Sequence, residues 1–262
     1  MARRVGAVLI DLSGTLHVED AVIPGSIDAL KRLRATNVKI KFVTNTTKES
    51  KRILHERLTR IGFSIDRDEI FTSLTAAKQL IDKRRLRPYM LIADAAKEEF
   101  HDISPENQNA VLVGLAPDQF DYEHMTTAFR ILLEGAPLIA IHRARYYKRS
   151  DGLALGPGAF VAALEYSSGC KSEAVGKPEA AFFHSALEEL GCSASEAVMI
   201  GDDAQDDVCG AMNAGLLGIL VKTGKYRPGD ESTVDPKPSY IAENFAQAVD
   251  YIISRWLMNS EE

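Results

Sequence analysis

The amino-acid sequence predicts an α/β protein with a doubly wound, Rossmann-like parallel sheet and a second α/β block inserted into it. Three observations predict this. Short apolar runs rich in β-branched residues recur at Val5–Ile10, Val38–Val43, Ala197–Ile200 and Leu217–Val221. They are continuous rather than alternating, as expected for parallel strands covered on both faces. Segments with apolar residues at helical spacing separate them, which implies βαβ units.

Taken in order, Val5–Ile10 opens the sheet and Ser26–Arg34 carries the first helical stripe. After Val38–Val43, the pair Thr46 and Glu49 has the spacing of a capping box, opening a helix that Gly62 can end. From about Thr75 to Glu173 the turn chemistry is denser, with Ser104-Pro105, Ala116-Pro117 and Gly156-Pro157-Gly158. Strands are predicted there at Tyr89–Ala93, Ala110–Leu115 and Pro137–His142, and helices at Tyr122–Leu133 and Ala159–Tyr166. A single sheet holding all these strands would need about ten, near the practical limit, so insertion is favoured. Helices at Glu179–Leu190 and Asp206–Ala214 flank Ala197–Gly201. Ser239–Trp256 reads as one closing helix, and Asn259–Glu262 are expected to fray.

Composition narrows the function. The formal charge of −6 over 262 residues argues against nucleic acid or an anionic membrane as partner, since both reward basic surfaces. The cysteines Cys170, Cys192 and Cys209 show no C-x-x-C spacing, and Cys209 falls among apolar helix positions that suit a core thiol. The basic start Met1–Arg4 is followed by an apolar run too short for a signal segment, and no stretch approaches the roughly 20 residues of a membrane span. A cytoplasmic protein is expected. Lys83–Arg87 reads as an exposed helix end, and the basic and aromatic run Arg143–Arg149 as a solvated or interface strand.

Four features fall where predicted strands end, the place where open α/β sheets build their sites. Asp11 follows the first strand in Asp11-Leu12-Ser13-Gly14-Thr15. Thr44-Asn45 follows the second, Asp202-Asp203 follows Ala197–Gly201, and Lys177 precedes a helix in Gly176-Lys177-Pro178. An acidic residue at a strand end can simply cap a helix, and Thr-Asn can be a turn. Together the four suit phosphoryl transfer. A carboxylate can attack phosphorus, and two carboxylates can hold Mg²⁺. An ammonium and a hydroxyl can stabilise the moving phosphoryl group.

These segments, with Asp207, resemble in order the four motifs of the haloacid dehalogenase-like superfamily. The gap between Thr44-Asn45 and Lys177 resembles the large cap insertion of its NagD-like subfamily. The resemblance implies a catalytic core over residues 1–74 and 174–262 and an inserted cap over 75–173, which in relatives often forms a homodimer. It implies an Mg²⁺-dependent phosphatase acting on a small phosphorylated substrate. Asp11 would be nucleophile and metal ligand, with Ser13 lending its backbone carbonyl and Asp202 completing the protein ligands. Thr44, Asn45 and Lys177 would hold the phosphoryl group beside the Asp11-Leu12-Ser13 turn. Asp207 and Asp203 would orient their neighbours or cap the following helix. One departure stands out: most phosphatases of the superfamily carry an acidic residue where Ser13 stands. That residue protonates the leaving oxygen, a contribution of about 10²–10⁴-fold. Weak activity, or a phosphate-binding scaffold with a slow site, is the alternative expectation.

Overall fold

The computed structural model describes residues 5–149 and 152–257, without the side chains of 147–149, 152 and 153. Met1–Arg4 and Asn259–Glu262 lie outside the described residues. In chain order the strands are β1 (Ala7–Asp11), β2 (His17–Val18), β3 (Ala21–Val22), β4 (Lys39–Thr44), β5 (Ile70–Thr72), β6 (Pro88–Leu91) and β7 (Ala110–Val113). They continue as β8 (Leu138–Ala140), β9 (Tyr146–Arg149), β10 (Gly152–Leu155), β11 (Ser172–Ala174), β12 (Ala197–Gly201), β13 (Leu217–Val221) and β14 (Tyr240–Ala242). The α-helices are α1 (Ser26–Arg34), α2 (Lys51–Arg60), α3 (Ser73–Arg84), α4 (Tyr122–Leu133) and α5 (Pro157–Ser168). After them come α6 (Ala180–Leu190), α7 (Gly210–Asn213), α8 (Asp230–Thr233) and α9 (Phe245–Ile252).

The chain divides into two compact units. One comprises Met1–Thr44, His55–Phe71 and Lys177–Glu262, and the other Asn45–Leu54 and Thr72–Gly176. The expected boundaries, 74/75 and 173/174, did not assign residues 45–54 to the inserted block.

The first unit is built on a six-stranded sheet ordered β14-β13-β12-β1-β4-β5. The pairs from β14 to β4 are parallel. β1 lies between β12 and β4, with Ile10 in register with Ile200 and Phe42, and every residue of β1 is buried. That explains the unbroken Ala-Val-Leu-Ile run: a strand covered on both faces has no solvent side to mark with polar residues. Because neighbouring parallel strands end together, Asp11, Thr44 and Asp202 reach one edge of the sheet. The second unit has a four-stranded parallel sheet ordered β11-β8-β7-β6, and β9 and β10 pair as an antiparallel hairpin. Its core joins Val111, Val113 and Leu138 from the sheet to Ala128 and Leu132 of α4 and Val161 and Leu164 of α5. The α/β class, with a parallel core sheet and a second α/β unit, is the one expected from the sequence.

Local readings differ in three places. The closing helix is interrupted: Tyr240–Ala242 adds an edge strand to β13, and Asn244 then caps α9 by accepting from Gln247 N–H at 3.0 Å. The Thr46/Glu49 pair does not open a helix, since α2 starts at Lys51, where the Ser50 hydroxyl accepts from Ile53 N–H at 3.3 Å. The segment predicted as helix Asp206–Ala214 begins earlier, as a wide turn over Ala204–Cys209, because Asp203 caps Gln205 and Asp206 N–H. Cys209 sits in an apolar cluster with Val208, Leu220 and Val234. The Lys83-Arg84 pair lies in the last turn of α3, with Arg84 ion-paired to Glu173 at 2.6 Å.

The first unit carries a forked ion pair on its surface. Arg34 donates to both Glu69 oxygens, at 2.7 and 2.5 Å, and Glu69 also accepts from Asp66 N–H at 2.8 Å. Burial pushes the Glu69 carboxyl up, but the Arg34 fork and the Asp66 amide outweigh it and hold it below the usual range. A carboxyl depressed in the folded state adds stability above its unfolded pKa and loses it as pH falls through the folded value. Glu69→Gln is therefore expected to lower the unfolding free energy at pH 7 by about 1 kcal/mol. In urea titrations the difference from wild type should shrink steadily below pH 4.

Candidate active site

Asp11 is carried into the interior as the last residue of β1, and its side chain is only 6% exposed. Its Oδ1 accepts a hydrogen bond from Lys177 Nζ at 2.6 Å, and its Oδ2 from the Thr15 hydroxyl at 3.3 Å. Lys177 lies 166 residues away in sequence, yet its Nζ is also 2.6 Å from Asp207 Oδ1 and donates to the Val43 carbonyl at 3.4 Å. The tight turn after β1 places Thr15 and Leu16 with their N–H groups on the Leu12 carbonyl. That turn is what points the Thr15 hydroxyl back at Asp11.

Asp202 follows β12 and is 1% exposed. It accepts from Lys225 N–H at 2.6 Å through Oδ2. The turn after β1 packs directly against it: Gly14 has φ +98°, and a Cβ there would stand 2.0 Å from Asp202 Oδ2. Only glycine allows that approach. One turn on, Asp207 accepts from Asp203 N–H at 3.1 Å. One carboxylate oxygen from each of Asp11, Asp202 and Asp207 lies within 4.8 Å of the others.

Three buried carboxylates therefore lie close together, two of them on the Lys177 ammonium, and the electrostatics reflect it. Burial alone would lower the Lys177 pKa, but Asp11 and Asp207 overcome it and raise it, so the ammonium stays charged. Asp202 is pushed up to about 7, first by burial and then by the charge of Asp11. Burial also raises Asp207 well above the carboxylate range, against the pull of Lys177. Asp206 rises to about 6, from burial and the neighbouring Asp203. All the ligand atoms here are hard oxygens, which suits a divalent ion such as Mg²⁺ or Ca²⁺. A cation would relieve the same repulsion that lifts Asp202, so the donor set fits a metal.

The structure brings Lys177 into contact with Asp11 and Asp207, gathers Asp202 within 4.8 Å of both carboxylates, and puts Thr44, buried, at the end of the neighbouring strand β4. Leu12 is buried and Ser13 exposed. Asn45 belongs to the second unit, where a Cβ on Gly176 would come 2.5 Å from its Oδ1. Asp203 caps the turn over Ala204–Cys209 through Oδ1, and its Oδ2 lies 3.4 Å from Lys225 Nζ. Thr15, Thr223, Gly224 and Lys225 also touch the cluster or its turn and were not singled out. Thr15 stands inside the first motif, and the other three follow β13 at the strand edge, which is the signal that could have found them.

A parallel sheet with a buried carboxylate–lysine cluster at its carboxyl edge places the chain among Rossmann-like α/β proteins that build their sites at strand ends. A family model described as haloacid dehalogenase-like hydrolase matches residues 8–104, and one described as HAD-hydrolase-like matches residues 174–248. The chain is 58% identical over 255 residues to haloacid dehalogenase-like hydrolase domain-containing protein 2 of Homo sapiens, covering 97% of this chain and 98% of that one. It is 41% identical to the phospholysine phosphohistidine inorganic pyrophosphate phosphatase of Homo sapiens, covering 95% and 94%. Among solved structures, the p-nitrophenyl phosphatase from Archaeoglobus fulgidus superposes with a TM-score of 0.88 at 26% identity, covering 94% of this chain and 99% of that one. The chain belongs to the haloacid dehalogenase-like hydrolases.

Lys177→Met removes the cation and leaves the carboxylates facing one another. Stripping one partner from a buried ion pair typically costs about 3–5 kcal/mol. The carboxylates then take up protons that the unfolded chain releases, so the folded state binds more protons and stability falls as pH rises. In chelator-treated buffer, the melting temperature of Lys177→Met should drop further below wild type at pH 8 than at pH 5. An equal drop at both would show that the loss is one of packing rather than charge.

Proposed function

We propose that the chain is an Mg²⁺-dependent phosphohydrolase working through an aspartyl-phosphate on Asp11. The observation that carries this reading is the buried contact of Asp11 with Lys177 beside two further carboxylates, at the ends of adjacent strands. That the similar proteins reported above include phosphatases supports it. Asp11 and Asp202 would hold the ion with the Ser13 backbone carbonyl. Bound there, Mg²⁺ would neutralise the excess negative charge and polarise the phosphoryl oxygens.

The chain's own residues do the rest. Thr15 and Lys177 hold the Asp11 carboxylate in one orientation. Lys177, the Thr44 hydroxyl and the Asn45 amide would bind the phosphoryl oxygens. One Asp11 oxygen attacks phosphorus while the bond to the leaving group breaks, the electron pair departing with that group. Water then attacks the same phosphorus, releasing phosphate and restoring the carboxylate. Asp207 keeps Lys177 in place and charged.

Ser13 determines which substrates suit the site. A serine hydroxyl cannot supply a proton near neutral pH, so leaving groups that depart without one are favoured: pyrophosphate, acyl phosphates and protonated phosphoamides. The relative named as a phospholysine, phosphohistidine and pyrophosphate phosphatase is consistent with that class. A second reading, a phosphate-binding protein with negligible turnover, rests on the same serine. Trapping a phosphorylated Asp11 by rapid quench separates the two.

Asp11→Asn should reduce kcat by several orders of magnitude while circular dichroism shows the fold retained, even where loss of the ion pair with Lys177 lowers the melting temperature. Retention of more than a few per cent of wild-type kcat would remove Asp11 as nucleophile. A plot of log kcat/KM against leaving-group pKa should be steep for the wild type and shallower for Ser13→Asp, because a carboxylic acid contributes about 10²–10⁴-fold on basic leaving groups. A flat wild-type line would mean that another group delivers the proton.

A further inference from the structure

Three consecutive residues after β13 each contact the site without belonging to the carboxylate cluster. Thr223 donates its hydroxyl to the Gly14 carbonyl at 2.5 Å. Gly224 has φ +57°, and a Cβ on it would stand 2.1 Å from Asp202 Oδ2 and 2.4 Å from the Gly14 Cα. Lys225 donates its backbone N–H to Asp202 Oδ2 at 2.6 Å, and its Nζ lies 3.4 Å from Asp203. The turn after β1, the residue after β12 and the loop after β13 therefore meet at one carboxylate.

We propose that Thr223 is a positioning residue: its hydroxyl latches the nucleophile turn to the loop that holds Asp202, so affinity for the divalent ion depends on Thr223. This rests on the metal-dependent reading above. Two segments of different strands supply the ligands expected to close on one ion, Asp11 and Ser13 from one and Asp202 from the other. If the segments can shift relative to each other, the ion must order them on binding, and affinity falls. Gly224 and the Lys225 amide fix Asp202 to the β13 loop, and the Thr223 hydroxyl is the polar contact that ties the same loop to the turn bearing Asp11. A threonine suits the position: it is half-buried and β-branched, so few rotamers compete with the one that reaches Gly14.

The proposal separates from a merely structural role because it predicts an effect on metal affinity that saturating metal repairs. The experiment is calorimetric titration of MgCl₂ into wild type, Thr223→Val, Thr223→Ser and Asp202→Ala, with melting temperatures recorded and Thr223→Ala held as the alternative should the valine variant not fold. Loss of one hydrogen bond of this kind should weaken Mg²⁺ binding about five- to tenfold in Thr223→Val. Thr223→Ser should stay within about twofold of wild type, since it keeps the donor. In turnover assays, kcat/KM of Thr223→Val should fall at limiting Mg²⁺ and recover at saturating Mg²⁺. Wild-type affinity in Thr223→Val, alongside lost affinity in Asp202→Ala, would overturn this inference alone. So would a serine variant as weak as the valine one. A wild type that binds no Mg²⁺ would overturn the metal-dependent reading and this inference together.

Discussion

Lys177 is the cation on which the arrangement of the site depends. It is almost fully buried, and it lies against Asp11 and Asp207 at 2.6 Å each. An ammonium pays a large desolvation cost at such depth and is stable only with anionic partners. The carboxylates need it equally, because three acidic groups this close in a water-poor pocket repel one another strongly. Each group is tolerable only in the presence of the others. The cluster therefore constrains the chain around it: β1, the residues after β12, and the start of the segment leading to α6 must all deliver a side chain to one point. Parallel strands about 4.8 Å apart do this naturally when their ends are level, and the register of β1 with β12 and β4 makes them level.

Asp202 shows how closely the backbone must follow. Gly14 and Gly224 both crowd its Oδ2, and neither position has room for a Cβ. A side chain clamped by two backbones loses little entropy when it binds an ion, because its rotamer is already chosen. The same clamp explains why burial raises its pKa rather than driving it outward to solvent. The carboxylate has no alternative position, so the strain of its charge stays in place until a proton or a cation relieves it.

The long buried strands were legible because burial on both faces leaves an unmistakable continuous run. Val5–Ile10 and Leu217–Val221 needed no context. The short strands β5, β11 and β14 were not legible, whereas β8, equally short, sits inside the longer apolar run Pro137–His142; without such a run only pairing with a neighbour makes the strand. Tyr240–Ala242 also lies beside a strong helical stripe, which absorbed it. The Thr46/Glu49 spacing misled because Ser50 offers a competing cap next to the first helical residue. At the site, side chains with distinctive chemistry could be read from their strand-end positions. Lys225 could not, because its contact with Asp202 is made by a backbone amide that every residue but proline possesses. Asp203 was ambiguous for the opposite reason: capping and catalysis ask for the same carboxylate, and only geometry distinguishes them.

The charge balance also bears on whether the site could serve only to bind phosphate. Protein sites that merely hold phosphate surround it with backbone amides, arginines or lysines and keep carboxylates at a distance. Here the lining is acidic instead: Asp11, Asp202 and Asp207 are gathered beside Lys177, with Lys225 as a second nearby cation, and carboxylates so placed oppose a phosphoryl dianion. Such a pocket attracts phosphate only when a divalent cation offsets their charge. Even then, Asp11 beside the bound phosphorus lowers affinity, because its charge opposes the ligand's. A carboxylate that weakens ground-state binding, yet is held in one orientation by Thr15 and Lys177, is explained if it becomes bonded to phosphorus along the reaction, when its negative charge is spent in the new bond. The same placement has no use in a scaffold. On the proposed covalent route, the carboxylate that opposes ground-state binding is the one used along the reaction, and Ser13 would govern which leaving groups depart quickly.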